Sequence, residues 1–307
     1  MENRMSIVAN KKTKSTVEKA AAIIVTICAA VSILAVISIT GYMIIVGSPA
    51  LKDVGIKEIL FSSVWSPETN HFGILYIILT SLIGTALAII IGVPIGLLSA
   101  VCLAEMTEGK VRGFLKGAIE LLAGIPSVVY GLLGILIINP MMYNLEKSVF
   151  STTSSHQFTG GSNLLAASLV LAIMILPTLI SISETALESV PDHYRKSSLA
   201  LGASKIQTIF RVVIPAAKNG IFSAIVLGVG RAIGEAMAIM LVAGNSVNLP
   251  LPFSSVRFLT TAIVSEMSYA SGVHREVLFT IGLVLFLFIM LINLLLTYVL
   301  KKGDRHE

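Results

Sequence analysis

Six apolar stretches dominate this sequence, and each meets or approaches the length of about 20 residues that a helix needs to cross a bilayer. Only 13% of the 307 residues are charged, whereas a typical soluble domain has about 25%. This composition argues against a disordered, fibrous or nucleic-acid-binding chain. We therefore predict an all-α, polytopic membrane protein, with transmembrane helices at about 20–46, 72–104, 121–145, 164–183, 221–243 and 277–300.

Positive charge predicts the orientation of these helices, because cytoplasmic loops retain Lys and Arg. With the N-terminus inside, sixteen Lys and Arg residues fall on the cytoplasmic side and five on the outer side, and Arg231 within the fifth helix completes the 22. We expect both termini in the cytoplasm. Residues 1–19 form a basic cytoplasmic segment in this arrangement, and residues 20–307 form one transmembrane domain. The first apolar run is too long for a signal peptide, so we expect it to remain uncleaved.

Patterns for catalysis and metal binding are missing from the sequence. Cys28 and Cys102 lie in apolar runs without metal-ligand spacing, and the five histidines fall outside the predicted helices. No GxxxxGK[ST] nucleotide-binding pattern occurs. We therefore expect no catalytic residue, no metal site and no cofactor on this chain. If ATP drives its activity, Mg-ATP must bind another subunit.

The cytoplasmic loop 184–220 is predicted to form two short helices joined at a corner. Pro191 suits the first turn of a helix and Gly202 suits its end. Ser204 and Gln207 form a capping-box pattern that begins a second helix. From the residues alone, the corner either docks a partner protein or caps the helix bundle. It comprises Leu201, Gly202, Ala203 and Ser204.

Arg231 and Glu235 lie inside the fifth predicted helix, where each charge costs roughly 2.5 to 3.5 kcal/mol on insertion scales. Neither side chain is expected to face lipid. Four residues apart, they would share one helix face and could pair. They form either a structural ion pair or a substrate pathway, in which the arginine would bind a tetrahedral oxyanion through its planar fork of donors. We favour the pathway, because an ionisable residue within a membrane is functional by default.

Glycines four residues apart predict close helix packing at two places, Gly92 with Gly96 and Gly230 with Gly234. Pro94 offers a hinge as the alternative use of the first pair. In the outer segment 245–276, the apolar stretch 258–264 is too short to span a membrane. We expect it to lie at the interface or to re-enter the bundle.

The loop also carries a resemblance. Gly202 followed by Val212-Val213-Ile214-Pro215 resembles the EAA loop of permease subunits in bacterial ABC importers. The chain departs from that pattern at Lys196-Ser197-Ser198, where Glu-Ala-Ala would stand. The stretch 230–239 and the segment 122–131, which reads LAGIPSVVYG, are similar to the PstC-type permease subunits of phosphate ABC importers.

This resemblance implies a type I ABC importer permease in the bacterial cytoplasmic membrane that moves inorganic phosphate by alternating access. Its partners would be a PstA-like second permease subunit, a PstB-like dimer of ATP-binding subunits and an extracytoplasmic PstS-like phosphate-binding protein. Arg231 and Glu235 would take part in phosphate passage, and the loop corner would engage the ATPase. The alternatives are a secondary anion transporter or channel acting alone, and an ABC permease for sulfate, molybdate or phosphonate.

Overall fold

The computed structural model describes residues 11–151 and 156–303, which are mostly helical. Five helical stretches of this part are long and apolar enough to cross a membrane. A sixth results when two helical stretches that are bent by 70° to each other, Lys205–Ala216 and Lys218–Gly234, are counted as one span. The predicted all-α, polytopic fold class is therefore confirmed. The helices are α1 (Lys11–Ala50), α2 (Ile56–Phe61), α3 (Leu75–Val101), α4 (Gly109–Ala123), α5 (Ser127–Leu133), α6 (Asn139–Val149), α7 (Leu164–Glu188), α8 (Asp192–Ala200), α9 (Lys205–Thr208), α10 (Ile214–Ala216), α11 (Lys218–Gly234), α12 (Met237–Val242), α13 (Leu259–Glu266) and α14 (Gly272–Gly303).

Five-residue π-helical stretches continue four of these helices, at Leu51–Gly55, Cys102–Met106, Gly134–Ile138 and Ile209–Val213. Two short antiparallel strands, β1 (Trp65–Ser66) and β2 (His71–Phe72), form a hairpin before α3. Following the predicted orientation, we call the end of the bundle that carries this hairpin the outer end. The opposite end, which carries α8 and α9, is the inner end.

The centre of the bundle is the contact between α3 and α7. A Cβ atom at Gly92 would lie 2.9 Å from Ile175 Cδ1, and one at Gly96 would lie 3.0 Å from Leu179 Cβ. The two glycines therefore let the helices approach more closely than larger residues would. Pro94 lies inside α3 and does not end it.

Apolar clusters close both ends of the bundle. At the outer end, Ile59, Phe72, Leu259 and Ile281 are almost fully buried, and α13 packs among α3, α12 and α14. The stretch predicted to lie at the interface or to re-enter thus lies inside the bundle. The inner cluster joins the ends of α3 and α7 to the helices that follow α8, through Ala100, Leu187, Ile209, Val213 and Ile221. By contrast, the apolar side chains of α1 are largely exposed, as expected for contact with lipid.

Two of the predicted helices are broken in the structure. The prediction of one continuous helix over 221–243 is wrong, because α11 ends at Gly234 and Glu235 is extended with φ −72° and ψ 131°. The third predicted helix is also interrupted, because Pro126 precedes α5 in a non-helical conformation with ψ 140°. Proline disfavours the helical conformation of the residue before it, which explains the second break.

Candidate functional site

The candidate substrate pathway is centred on Arg231, in the last turn of α11. Its side chain is half-buried, and Nη1 donates a hydrogen bond to Thr178 Oγ1 on α7 at 3.2 Å. Thr178 follows Pro177, which lacks the N–H that would bond the carbonyl of Ile173. The helix continues through this proline without that hydrogen bond, one residue before the threonine that holds the guanidinium. This arrangement keeps a cation inside the bundle with part of its surface open.

Glu235 occupies the break between α11 and α12. Its Oε1 accepts a hydrogen bond from the backbone N–H of Ala238 at 3.0 Å, so the carboxylate caps the first turn of α12. The backbone carbonyl of Glu235 accepts a second bond from Thr260 Oγ1 on α13 at 2.6 Å. These two bonds explain why the chain leaves the helix here.

The break changes the relation between Arg231 and Glu235. The sequence predicts that both residues share one face of a continuous helix, and the structure places them on opposite sides of its end. Arg231 bonds to Thr178, whereas Glu235 bonds to the backbone of α12. The spacing argument for a structural ion pair therefore does not apply. The role of both residues in a pathway stays a prediction.

The segment 122–131 forms a joint beside this break. Tyr130 donates from its hydroxyl to the carbonyl oxygen of Leu122 at 2.8 Å, across the bend between α4 and α5. Gly131 faces α12, where a Cβ atom would lie 2.9 Å from Ala238 Cα. The joint therefore holds α12, the half-helix that follows Glu235, against α5.

The second pair of glycines has a different environment from the first. A Cβ atom at Gly230 or at Gly234 would meet nothing within 4 Å in the part of the chain that the structure describes. This side of α11 is open next to Arg231. Close packing there stays a prediction, and it would need a helix from another subunit.

The loop corner has the predicted shape. Helix α8 ends at Ala200, Gly202 adopts φ +86°, and Ser204 with Gln207 forms the capping box that begins α9. Leu201 is 90% exposed, and a Cβ at Gly202 would meet nothing within 4 Å among the described residues. The corner is thus an exposed knob on the inner end. Docking of this corner to an ATPase stays a prediction.

Sequence reasoning missed the neutral side chains that hold the site. Thr178 and Thr260 are single hydroxyl residues in apolar helices, and nothing in their spacing marks them. Pro177 was a usable signal for Thr178, because a proline within a membrane helix frees a carbonyl and disturbs the turn. Among the described residues, no group of three or more His, Cys, Asp and Glu side chains is placed to hold a metal.

The sequence matches the family described as "Binding-protein-dependent transport system inner membrane component" over residues 92–304. The chain belongs to this family. It is 36% identical over 300 residues to the probable ABC transporter permease protein YqgH of Bacillus subtilis (strain 168), covering 94% of each chain. It is 35% identical over 260 residues to the phosphate transport system permease protein PstC of Pasteurella multocida (strain Pm70), covering 80% of this chain and 81% of the relative.

A solved structure supports the fold. The chain is similar to a bacterial ABC transporter involved in the import of the acidic polysaccharide alginate, with a TM-score of 0.65, 15% identity, and coverage of 95% of this chain and 99% of that chain. At this identity the likeness concerns the fold alone. Membership of the family makes the chain a multi-pass permease subunit of an ABC transporter in the cytoplasmic membrane and not an enzyme. An ATPase and a binding protein are its partners in such a system.

Proposed function

We propose that this chain is the permease subunit of an ATP-driven importer that moves inorganic phosphate across the cytoplasmic membrane. The observation that carries the proposal is the half-buried Arg231, held by Thr178 inside the bundle. Relatives named as phosphate transport system permeases support the choice of anion. A guanidinium suits phosphate because its planar fork donates two parallel hydrogen bonds to oxygen atoms of one anion.

We assign the remaining subunits of such an importer to the open surfaces of the chain. A PstA-like permease would cover the glycine side of α11, at Gly230 and Gly234, and complete the path beside Arg231. A PstB-like ATPase dimer, which binds Mg-ATP, would receive the corner Leu201–Ser204. A PstS-like binding protein would deliver phosphate at the outer end. This assignment places both termini in the cytoplasm.

The proposal is tested by uptake of labelled phosphate into cells that lack only this chain and are then given it back. Restored uptake that stops on ATP depletion and resists excess sulfate is the expected result. Uptake that follows the ion gradient after ATP depletion would favour a secondary transporter. Restoration of sulfate, molybdate or phosphonate uptake in place of phosphate would reassign the anion.

Arg231→Gln tests the site itself. Because glutamine has the polarity but not the charge or the fork, we expect phosphate flux to be abolished while the complex still assembles. The matched control is Arg275→Gln, which removes an exposed arginine from the outer end of α14. Full flux in Arg231→Gln would exclude this arginine from the pathway.

A further inference from the structure

One arginine joins the cytoplasmic loop 184–220, which we call the coupling loop, to the end of the second membrane helix, α3. Arg195 lies on α8, and its side chain is 20% exposed. It meets Glu105, whose side chain is 8% exposed and lies in the π-helical stretch that continues α3. Arg195 Nε donates to Glu105 Oε1 at 3.1 Å, and Nη2 donates to the same oxygen at 2.6 Å. The two residues are 90 positions apart, so this is a tertiary link.

The same guanidinium also holds the end of the fourth membrane helix. Arg195 Nη1 donates to the carbonyl oxygen of Val190 at 2.6 Å, and Nη2 donates to that of Leu187 at 2.9 Å. Leu187 lies in the last turn of α7, where carbonyl groups have no partner within their own helix. A cation is favoured at such a helix end. One side chain therefore bonds to three parts of the chain, namely α3, α7 and the segment that leads into α8.

This arrangement depends on properties that only arginine has. The hydrogen bonds that Arg195 donates to Glu105 raise the pKa of its guanidinium, and they outweigh burial, which lowers that pKa. A lysine ammonium would keep the charge but lacks the rigid planar set of donors that reaches a carboxylate and two carbonyls at once. The link is therefore sensitive to geometry as well as to charge.

The two helices that Arg195 holds are also packed against each other. Gly92 and Gly96 of α3 lie against Ile175 and Leu179 of α7. Helix α7 also carries Thr178, which bonds to Arg231. Because Arg195 links α8 to α7, a movement of α8 would displace α7 and, through Thr178, the side chain of Arg231. The route from the exposed corner to Arg231 thus runs through packed and hydrogen-bonded side chains.

We propose that Arg195 and Glu105 form a clamp that makes the coupling loop move as one body with α3 and α7. Arg195 is a positioning residue, because it acts through these helices and does not touch the transported anion. The clamp rests on the proposed function in one respect, namely that an ATPase engages the corner of the loop. It assigns a transmission role to residues that lie away from both the corner and Arg231.

The first test measures phosphate uptake per ATP hydrolysed by the complete importer in proteoliposomes. In Glu105→Gln and in Arg195→Gln we expect this ratio to fall at least tenfold, with assembly and basal ATP hydrolysis retained. Because Glu105 acts only through Arg195 in this link, the double variant should be no worse than Arg195→Gln alone. Arg195→Lys should resemble Arg195→Gln. The matched control is Arg112→Gln, since Arg112 bonds to Glu184 and Glu188 of α7 and leaves α8 untouched.

A second measurement does not depend on the anion. Spin labels on Lys196 in α8 and Leu82 in α3, in a chain whose two cysteines are replaced by serine, report the distance between the loop and the helix. In the otherwise unaltered importer this distance should be the same with and without ATP and vanadate. In Glu105→Gln its distribution should broaden when ATP and vanadate are added.

The two measurements separate the failure of the clamp from failure of the proposed function. If the unaltered importer takes up no phosphate, the anion is wrong, and the spin-label distance still tests the clamp. A normal ratio of uptake to hydrolysis in Glu105→Gln overturns the clamp, as does a distance distribution that this substitution leaves unchanged. If Arg195→Gln fails to assemble, Glu105→Gln alone decides between these outcomes.

Discussion

Replacing Thr178 with valine should slow transport without preventing assembly. The substitution keeps the shape of the side chain but removes the oxygen that accepts a hydrogen bond from Arg231 Nη1 at 3.2 Å. A hydrogen bond to a charged group contributes about 1.5–3 kcal/mol. Because Arg231 is half-buried and water replaces part of the lost bond, we expect a cost of about 1–2 kcal/mol in the step that places the anion. This corresponds to a decrease of about 5- to 30-fold in turnover.

The assay for Thr178→Val is the initial rate of labelled phosphate uptake by the complete importer at a saturating concentration of phosphate-loaded binding protein. Thr178→Ser retains the hydroxyl and should stay within about twofold of the unaltered chain. Thr185→Val is the matched control on the same helix, because the Thr185 hydroxyl donates to the carbonyl oxygen of Ser181 within α7 itself. An unchanged turnover in Thr178→Val would refute the argument that this threonine positions the arginine.

Three further pairs of substitutions have defined expectations. Gly202→Leu should lower ATP-dependent uptake about 5- to 30-fold with the helices intact, because φ +86° costs an L-residue about 1–2 kcal/mol, whereas Gly202→Asn should be milder; equal uptake in both would exclude this conformation from coupling. Gly161→Ala should lower the yield of folded protein extracted from membranes, because its Cβ would clash with the backbone of Asn139; Gly160→Ala should lower it less, because its Cβ would meet none of the described residues within 4 Å. Glu235→Gln keeps an acceptor for the α12 cap and should retain thermal stability, whereas Glu235→Ala should lose about 1 kcal/mol; equal melting temperatures would contradict the capping role.

Five of the six predicted membrane helices have a counterpart of spanning length, and they were predictable because hydrophobic length is a local property of the sequence. The breaks within the helices were harder to predict. Glu235 fits a continuous helix by spacing, and the chain leaves the helix there because two tertiary partners compete for its backbone and side chain. One of these, Thr260, lies 25 residues further along the chain. The break at Pro126 was predictable from the sequence, because proline disfavours the helical conformation of the residue directly before it, which is a local effect.

The site was predictable to the extent that it carries charge. Arg231 stands out because a cation within an apolar stretch is costly. Its partner Thr178 does not, because hydroxyl side chains in membrane helices usually bond to a carbonyl of their own helix. Thr26 and Ser32 of α1 do so, each with the carbonyl four residues earlier. In the sequence, only the preceding Pro177 separates Thr178 from a threonine that bonds within its own helix.

The loop shows how one segment divides two tasks between adjacent residues. Lys196, which departs from the EAA pattern, is exposed, whereas Arg195 beside it is largely buried and bonded to Glu105. A change at the exposed position alters only what the loop presents to a partner subunit. A change at the buried position alters how the loop is held by α3 and α7. The departure at Lys196 is therefore compatible with the proposed clamp, and we expect its consequences in the proposed contact with an ATPase.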